Sequence, residues 1–402
     1  MSFELAEQRG VRQPSHPAKF IQPLIFHSRT ADLAKEIDAC PAGPGIYALH
    51  LAGRPVHIAW TANLPRRLHR LLVSYHNWRL DGALATLRAS IERVECWPTS
   101  SRLEAWILLY SLTKQYYPVD YLERLRLRMP WFIRLTQDAF PYLSVVNRPQ
   151  GATGWIGPFP TREAAQRYEN AVLALFQIRR CLEILDPRPD HPGCIYGEMN
   201  QCLRPCQCAV GVEGYANEVQ RVREFLETNG RSSIAALSLA RDRASEALEF
   251  EAAAQIHKRI EKMLAAAALR DNSVNEIQSM NGVALTPTRI PTQFRLWPML
   301  EGWWQEPLSV DFSAGQAAAK SVDQQIRELL AAAVSQPSRS GDRLEHLAIF
   351  TRWYYSSWRD GKWFPFRTLA DLDYRSLVRE ISKQSASRPE THPHAPLPAP
   401  LC

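Results

Sequence analysis

Four cysteines at short, irregular spacings form the strongest chemical pattern in this sequence, Cys181-x12-Cys194-x7-Cys202-x3-Cys206. Four thiolates supply a complete ligand shell for zinc or for a [4Fe–4S] cluster. The spacing excludes a zinc ribbon, because that site needs two close Cys-x-x-Cys pairs far apart. We therefore predict a metal or cluster site, with Cys208 as a spare reduced thiol. The surrounding segment is polar and rich in proline, as in a loop wrapped around an ion: Pro187, Pro189, Pro192 and Pro205.

Charge and composition restrict the classes of protein that fit. The 402 residues carry a formal net charge of +7, since 48 basic residues are offset by 41 acidic ones. This excess attracts polyanions but is mild for a dedicated DNA-binding protein, so a soluble protein with slightly basic faces is the alternative. No apolar run approaches the ~18–20 residues that span a bilayer. The charged N-terminus does not resemble a signal peptide. We expect a cytoplasmic protein, in which disulfides are disfavoured and clustered cysteines bind metal.

The elements that must position these cysteines begin with a mixed α/β pattern. Ser101 and Glu104 form a capping box that opens a helix to about Gln115, because each side chain satisfies an end amide of the other. The other elements predicted upstream of the cysteines are strands at 45–51, 56–60, 131–135 and 142–146 and helices at 64–75 and 161–176.

Downstream of the cysteines the sequence is helical from about Gly214 to Arg270, with only Gly230 as a break. The last helix carries apolar residues at the spacing of a coiled-coil seam: Ala253, Ile256, Ile260, Met263 and Ala267. This seam either faces the protein core or is offered to another protein.

The C-terminal region is rich in tryptophan. Strands around 294–312, a helix at 316–334 and an aromatic segment at 344–366 are predicted there. The aromatic residues could form a platform for bases. At this density they more often pack, so we favour a small core with an Asp360-Gly361 hairpin turn.

Several motifs follow one another in order along the middle of the chain. The motifs are Trp-Ile-Gly-Pro-Phe-Pro at 155–160, Phe-Gln-Ile-Arg-Arg-Cys at 176–181, Pro-Gly-Cys-Ile-Tyr at 192–196, Cys-Leu-Arg-Pro-Cys at 202–206, and Ala-Leu-Glu-Phe-Glu followed by Ala-Ala at 247–254. Together they resemble the bacterial excision-repair nuclease subunit UvrC over about residues 40 to 275. The last motif is similar to the UVR motif, the helical hairpin by which UvrC engages UvrB. The family's following Arg-Asp is His257-Lys258 here.

What the resemblance implies for the cysteines is an iron–sulfur cluster. In UvrC these cysteines hold such a cluster, so [4Fe–4S] is preferred and zinc is the alternative. The ligands would be Cys181, Cys194, Cys202 and Cys206.

The resemblance also implies a GIY-YIG nuclease domain near the N-terminus, with Gly45-Ile46-Tyr47 as the first half of its signature. That chemistry needs a tyrosine as general base or proton relay, an arginine that stabilises charge on phosphate, and a carboxylate that holds a divalent metal. Tyr47 and Arg67 match the first two. The second half of the signature, Tyr-Ile-Gly-Lys, is His-Ile-Ala-Trp at 57–60. The metal-binding glutamate is Leu109, and the family's later asparagine is Tyr121.

These departures can be weighed chemically. His57 can replace a tyrosine as a proton shuttle, because the ordinary pKa of histidine lies near neutrality. Leu109 offers Mg²⁺ no oxygen ligand, and Glu104 lies round the helix and belongs to the capping box. Tyr47, His57 and Arg67 are therefore predicted to form a remnant site, with Mg²⁺ bound only if the site is active.

The sequence thus predicts a UvrC-like nucleotide-excision-repair protein that binds DNA without cutting it. Leu248 and Phe250, at the turn of the hairpin, are predicted to bind a UvrB-like protein. One alternative is an active metal-dependent GIY-YIG endonuclease that makes a single incision in damaged DNA. Another is a structural scaffold whose cluster only braces the fold.

The predicted fold class is α+β, with a small mixed-sheet nuclease-like domain, a cysteine loop region, a helical hairpin and a Trp-rich α+β region. The family's RNase H-like and helix-hairpin-helix domains are expected to be missing, since too few residues follow the hairpin. The predicted segments are a disordered N-terminus at 1–20, a degenerate GIY-YIG-like domain at 21–125, a strand, helix and cysteine-cluster region at 126–213, a UVR-like hairpin at 214–275, a Trp-rich region at 276–385 and a Pro-rich disordered tail at 386–402.

Overall fold

The computed structural model describes residues 22–27, 32–51, 54–73, 91–151, 153–311, 321–339 and 341–386. Within these ranges the chain is mixed α and β, with three antiparallel sheets and helices packed against each. The predicted α+β class is confirmed. No helix in these ranges has both the length and the apolar character needed to cross a bilayer. The predicted loose N-terminus, almost all of the tail and the helix ends at 74–75 and 316–320 lie outside the described residues.

The first sheet has the strand order β1-β4-β2-β3. Its elements are β1 Leu24–His27, α1 Leu33–Asp38, β2 Gly45–Leu51, β3 Arg54–Thr61, α2 Leu64–Leu68 with a π-helical turn at His69–Val73, β4 Arg93–Pro98 and α3 Arg102–Tyr116. Successive side chains of a strand face opposite sides. Tyr47 and Leu49 of β2 therefore pack with α1 and α2, whereas Ile46 and Ala48 pack with α3. Gly45 is required where α2 comes close, because a Cβ there would collide with Leu64.

The capping signal at the start of α3 operates as predicted. Ser101 Oγ accepts a hydrogen bond from the backbone N–H of Glu104 at 3.1 Å, and Glu104 Oε2 accepts one from the backbone N–H of Ser100 at 2.6 Å. Glu104 also forms a salt bridge with Arg295 of the C-terminal region. The helix is thereby fixed at its N-terminal end by both local and distant contacts.

The second sheet has the strand order β6-β5-β7-β8 and packs against helices on either side of the cysteine segment. Its elements are α4 Tyr121–Leu125, β5 Trp131–Leu135, β6 Leu143–Val146, β7 Ile156–Phe159, α5 Arg162–Leu173, α6 Ile195–Glu198, α7 Val212–Thr228 and, later in the chain, β8 Asn275–Glu276. Thr161 caps α5 as predicted, with its hydroxyl oxygen accepting from the N–H of Ala164 at 3.1 Å. Tyr168 and Phe225 are fully buried where α5 and α7 meet this sheet.

Two further helices, α8 Arg231–Glu246 and α9 Phe250–Ala268, form a hairpin. Of the two interpretations of the α9 seam, the core-facing one holds near its C-terminal end, where Ile260 and Met263 are buried. Ala266, rather than the predicted Ala267, is the buried residue that follows them. The seam therefore serves the fold of this chain, and the apolar residues at the hairpin turn remain exposed.

The Trp-rich region builds the third sheet, in the order β11-β10-β9-β13 with β12 also paired to β10. Its elements are β9 Gly282–Pro287, β10 Gln293–Leu300, β11 Trp303–Trp304, β12 Leu308–Asp311, α10 Val322–Ser335, α11 Arg343–Tyr354, β13 Lys362–Pro365 and α12 Tyr374–Ala386. Trp353 and Trp363 are buried, so the packed-core interpretation is confirmed. The predicted hairpin turn at Asp360 and Gly361 is wrong, because these residues connect helix α11 to strand β13. Strand β13 pairs with β9, which lies much earlier in the chain.

One core joins this region to the rest of the protein. Leu103, Ile107 and Tyr110 of α3 pack in the same cluster as Trp297 and Phe350. The backbone N–H of Arg102 donates to Asp360 Oδ2 across the same boundary. The C-terminal region thus braces the helix that carries Leu109.

Candidate functional site

The three residues of the predicted remnant site lie together beside the edge strand β3. Arg67 Nε donates a hydrogen bond to the Tyr47 hydroxyl oxygen at 3.1 Å, and the Arg67 guanidinium carbon lies 5.6 Å from the centre of the Tyr47 ring. The rings of Tyr47 and His57 are 5.9 Å apart, centre to centre. The cross-strand pairing of β2 with β3 and the Asn63 cap of α2 bring them into this arrangement.

Tyr47 is oriented into the protein rather than toward a substrate. Its side chain belongs to the core between the first sheet and its helices, and the residue is only 1% exposed. Its hydroxyl is already held by Arg67. In this arrangement Tyr47 is a structural link between β2 and α2.

A small pocket of about 220 Å³ lies next to His57. It is lined by His57, Ile58, Leu109, Thr113, Tyr117, Arg124 and Leu125. Partial burial lowers the pKa of His57 below its ordinary value, and the positive charges of Arg67 and Arg124 lower it further. His57 is therefore a neutral imidazole at pH 7, able to accept a proton.

No lining residue of this pocket has a carboxylate. Leu109, which the sequence resemblance matched to a metal-binding glutamate, lies among the lining residues. Asp120 lies nearby in sequence, but it pairs with Arg124 at 2.7 Å and is not part of the lining. Glu104 is buried, accepts from Ser100 and pairs with Arg295, so it cannot turn toward a metal.

Two residues of this neighbourhood have roles that the sequence did not show. Tyr121, which the sequence resemblance matched to an asparagine, donates to Glu345 of the C-terminal region and does not line the pocket. Arg124 was not among the predicted site residues, although it shares the pocket with His57. The alternation of arginine and leucine over 124–128 is the sequence signal that could have indicated it.

The cysteine segment is anchored at its start by Arg179, which is buried. Arg179 Nε donates to the Phe140 carbonyl at 2.7 Å, and its Nη1 donates to the Glu183 carbonyl at 2.8 Å. The backbone N–H of Arg179 donates to the hydroxyl of Tyr215 at 2.8 Å. The first cysteine, Cys181, is therefore fixed against the second sheet and α7.

Backbone hydrogen bonds then fold the segment back on itself. The N–H of Leu203 donates to the carbonyl of Gln177 at 3.0 Å, and the N–H of Arg188 donates to the carbonyl of Cys206 at 2.9 Å. Cys194 stands at the N-terminal end of the short helix α6. These ties gather into one loop cluster the four cysteines that the sequence separates.

The four thiols affect one another electrostatically. Burial raises the pKa of Cys202, and the neighbouring Cys181, Cys194 and Cys206 raise it further. Burial also raises the pKa of Cys206, as do Cys194 and Cys181. The backbone N–H of Arg204 donates to Cys202 Sγ at 3.4 Å, an interaction that favours a thiolate.

Four sulfur donors fit zinc or an iron–sulfur cluster in their chemistry. In the part of the chain that the structure describes, however, no three His, Cys, Asp or Glu side chains are arranged so that they could hold a metal ion. The side chains of the four cysteines would therefore have to change their arrangement to bind an ion or a cluster.

The predicted partner-binding residues lie at the turn of the helical hairpin. Leu248 is 72% exposed and Phe250 is 64% exposed, between the end of α8 and the start of α9. Leu248 adopts a left-handed backbone conformation with φ 62°, which ends the first helix sharply. An apolar tip thus projects from a hairpin whose base is packed into the core.

Comparison with known proteins shows which proteins this chain is similar to. Residues 130–225, which contain all four cysteines, match the family model "UvrC/Cho excinuclease, middle domain". The chain is similar to the UvrABC system protein C of three bacteria. It is 26% identical to that of Lacticaseibacillus casei over 233 residues, 29% identical to that of Alkalilimnicola ehrlichii over 226 residues, and 27% identical to that of Desulfitobacterium hafniense over 273 residues.

Each match covers a larger share of this chain than of the relative. The matched segments are 58%, 55% and 67% of this chain but only 37%, 36% and 43% of the respective relatives. The chain therefore spans less than half the length of these relatives. No solved structure matches the chain. The family-model match and the relatives together support a UvrC-like chain, with the cysteine-bearing middle domain as the best-defined part of the likeness.

Proposed function

We propose that this chain is a UvrC-like nucleotide-excision-repair protein that binds DNA and a UvrB-like partner without cutting at its GIY-YIG remnant. The similarity to proteins named as components of the UvrABC system supports the repair assignment. The four cysteines within the matched middle domain are proposed to hold a [4Fe–4S] cluster, with zinc as the alternative.

The observation that carries the non-cutting part is the composition of the pocket beside His57. A divalent metal in a phosphodiesterase site needs oxygen ligands. The pocket has an apolar side chain, Leu109, at the position of the family's glutamate, and its charged lining residue is the cation Arg124. Such a pocket attracts a phosphate group but supplies no carboxylate that could hold Mg²⁺.

A nicking assay tests this proposal. The anaerobically purified chain should leave supercoiled plasmid uncut with Mg²⁺ or Mn²⁺, alone or with UvrB, because the site lacks a carboxylate ligand. Conversion of plasmid to nicked circles should stay at the level of a buffer control. Reproducible nicking that disappears in both Tyr47→Phe and Arg67→Ala would refute the non-cutting function.

The second candidate is an active metal-dependent endonuclease that makes a single incision in damaged DNA. The convergence of Tyr47, His57 and Arg67, together with a neutral His57 able to accept a proton, favours it. The same assay separates the two candidates, since only the enzyme requires all three side chains for cutting.

The partner-binding part rests on the exposed hairpin tip. Soluble proteins rarely leave neighbouring large apolar side chains in water without a use, and a helical hairpin end of this kind suits docking to another helical element. Leu248 and Phe250 are the proposed contacts with a UvrB-like protein.

The substitution Phe250→Ala tests this contact. Truncating a central interface anchor costs about 2 kcal/mol, so affinity for UvrB should fall about thirtyfold. The matched control is Leu239→Ala, because Leu239 lies on α8 of the same hairpin and is 61% exposed, compared with 64% for Phe250. Titration calorimetry should give near wild-type affinity for the control, and far-UV spectra should be unchanged for both. Equal affinities for wild type and Phe250→Ala would exclude the tip as the docking site.

A further inference from the structure

Three exposed arginines form a cluster on the surface between α4 and α11. Arg126 and Arg128 follow α4, and Arg352 lies on α11 of the C-terminal region. In the described part of the chain, no carboxylate oxygen lies within 4.0 Å of a guanidinium nitrogen of any of the three. Arg126, Arg128 and Arg352, called the arginine cluster below, are therefore cations without a counter-ion among these residues.

The guanidinium of Arg352 is held in position by two contacts. Its Cζ lies 3.9 Å from the centre of the Trp106 ring, and its Nη1 donates to the carbonyl oxygen of Arg126 at 3.4 Å. Stacking on an aromatic ring orients a guanidinium while leaving its outward N–H groups free to bind an anion. The C-terminal region thereby contributes a fixed cation to a surface that begins beside the nuclease-like domain.

The segment after α4 presents its arginines outward. Leu125 is buried and Leu127 packs against the core shared by α3 and the C-terminal region, so the intervening Arg126 and the following Arg128 face solvent. The alternation of arginine and leucine thus turns two positive charges, those of Arg126 and Arg128, toward solvent. A binding surface for an apolar partner would need exposed apolar side chains instead.

The arginine cluster is energetically unfavourable in two respects, charge repulsion and backbone conformation. Burial lowers the pKa of Arg352, and the positive charge of Arg128 lowers it further, so the two cations repel each other. Arg126 occupies the C-cap of α4 in the left-handed conformation, with φ 47° and ψ 45°. Glycine or asparagine is the usual residue there, because a Cβ is unfavourable in that conformation. The presence of an arginine at this unfavourable position favours a functional role for its side chain.

The cluster continues toward the remnant site. Arg124 lies on α4, two residues before Arg126, and it lines the pocket together with His57 and Leu109. Arg67 also lies close enough to His57 to lower its pKa, and it donates a hydrogen bond to Tyr47. Cations therefore extend from the remnant site, past α4, to α11.

We propose that the arginine cluster binds the sugar–phosphate backbone of double-stranded DNA, along a path that continues from the remnant site onto the C-terminal region. This inference rests on the DNA-binding function proposed above and specifies the surface responsible. Guanidinium groups bind phosphate oxygens in bidentate fashion, and such contacts position a protein on DNA without reading its sequence. The bound duplex supplies the counter-charge that the three arginines lack.

The test is the salt dependence of duplex binding by the full chain. Each phosphate contact contributes about 0.9 to the slope of log affinity against log salt concentration. The triple variant Arg126→Gly, Arg128→Ala, Arg352→Ala should therefore lower the slope by about 2 to 3, measured by fluorescence anisotropy between about 50 and 200 mM salt. The matched control replaces three other exposed arginines, Arg223, Arg375 and Arg379, with alanine. It removes the same charge and should change the slope by less than about 1.

The single variant Arg126→Gly separates a binding role from a structural one. Glycine relieves the left-handed backbone, so the melting temperature should be equal to or higher than that of wild type. The slope should nevertheless fall by about 1, because one phosphate contact is lost. A lower melting temperature with an unchanged slope would assign Arg126 to the fold and count against the path.

The outcomes distinguish this inference from the proposed function. Wild-type protein that binds no duplex even at the lowest salt would refute the DNA-binding function itself. Duplex binding with the same slope in the triple variant, or the same loss of slope in the control, would overturn the arginine cluster alone. A triple variant that loses affinity for UvrB while its DNA slope stays unchanged would assign the surface to an acidic protein and likewise overturn the path.

Discussion

Substituting Cys202 with alanine should remove the iron and the brown colour from anaerobically purified protein, whereas wild type should contain about four irons per chain. Cys202 is buried within the loop cluster, and its thiol is affected by the charges of Cys181, Cys194 and Cys206. The three remaining thiolates would leave the proposed [4Fe–4S] cluster one protein ligand short. Iron analysis and the visible absorption spectrum measure the result.

If the proposed cluster is bound, its loss should also destabilise the segment that carries the cysteines. The free energy of binding a metal centre is available as folding free energy when the unfolded chain does not bind it, and this contribution amounts to several kcal/mol. Leu203 and Arg188 hold the loop through single backbone hydrogen bonds, and those bonds alone stabilise it weakly. The urea midpoint of Cys202→Ala should therefore fall markedly below that of wild type.

Cys208 provides the matched control, because it is an exposed thiol in the same segment that is not assigned as a ligand. Cys208→Ala should keep its full iron content and its urea midpoint. Stoichiometric zinc without iron in anaerobically purified wild type would contradict the iron–sulfur assignment. Full iron content in Cys202→Ala would contradict the ligand set.

Features encoded over short stretches of sequence could be predicted well. Strand β2 and the cap of α3 lie where the sequence indicated, because strand alternation and the Ser101–Glu104 pair act between near neighbours. The position of Leu248 and Phe250 at an exposed turn was indicated only by the resemblance of residues 247–254 to a hairpin motif, because the local sequence showed no helix break there. The grouping of Tyr47, His57 and Arg67 was predictable only because they match motifs of one family.

Contacts between distant parts of the chain could not be predicted. Leu109 was interpreted as a missing metal ligand, but it also packs against the core that joins α3 to the C-terminal region. Asp360 was assigned to a hairpin turn, but it accepts a hydrogen bond from the N–H of Arg102. Neither contact has a local sequence signal, because the partners lie in different parts of the chain and meet only in the folded protein.

The interaction with the greatest consequence among these distant contacts is the buried carboxylate of Glu345. Its side chain is 3% exposed and accepts a hydrogen bond from Lys114 Nζ at 2.7 Å. The hydroxyl groups of Tyr110 and Tyr121 also donate to it. A single residue of α11 thereby holds two side chains of α3, the helix that carries Leu109, and one side chain of α4.

The substitution Glu345→Ala should destabilise the protein by about 3 kcal/mol, because removing one member of a buried ionic network leaves its partners uncompensated. Lys114 is 27% exposed and can be partly hydrated in the variant, so we do not expect the largest losses of unfolding free energy that follow removal of a buried charge. Two tyrosine hydroxyls lose their acceptor, and each buried donor without a partner adds to the cost. Urea unfolding of the full chain gives the measurement. Glu306→Ala, at an exposed position on the same region, should change the free energy of unfolding by less than about 0.5 kcal/mol.

The pH dependence of unfolding tests whether the ionised carboxylate of Glu345 is the source of this stabilisation. Burial acts to raise the pKa of Glu345, but the hydrogen bonds from Lys114, Tyr110 and Tyr121 outweigh it and hold the pKa below its ordinary value. Its contribution to stability is therefore fully present above the unfolded pKa of about 4.3 and is lost as the pH falls through the lower folded value. The difference in unfolding free energy between wild type and Glu345→Gln should be constant near neutrality and shrink below about pH 4. A difference that does not change with pH over that interval would mean that the negative charge of Glu345 does not stabilise the contact with α3. The brace between α3 and the C-terminal region would then depend on uncharged hydrogen bonds and packing rather than on an ionic network.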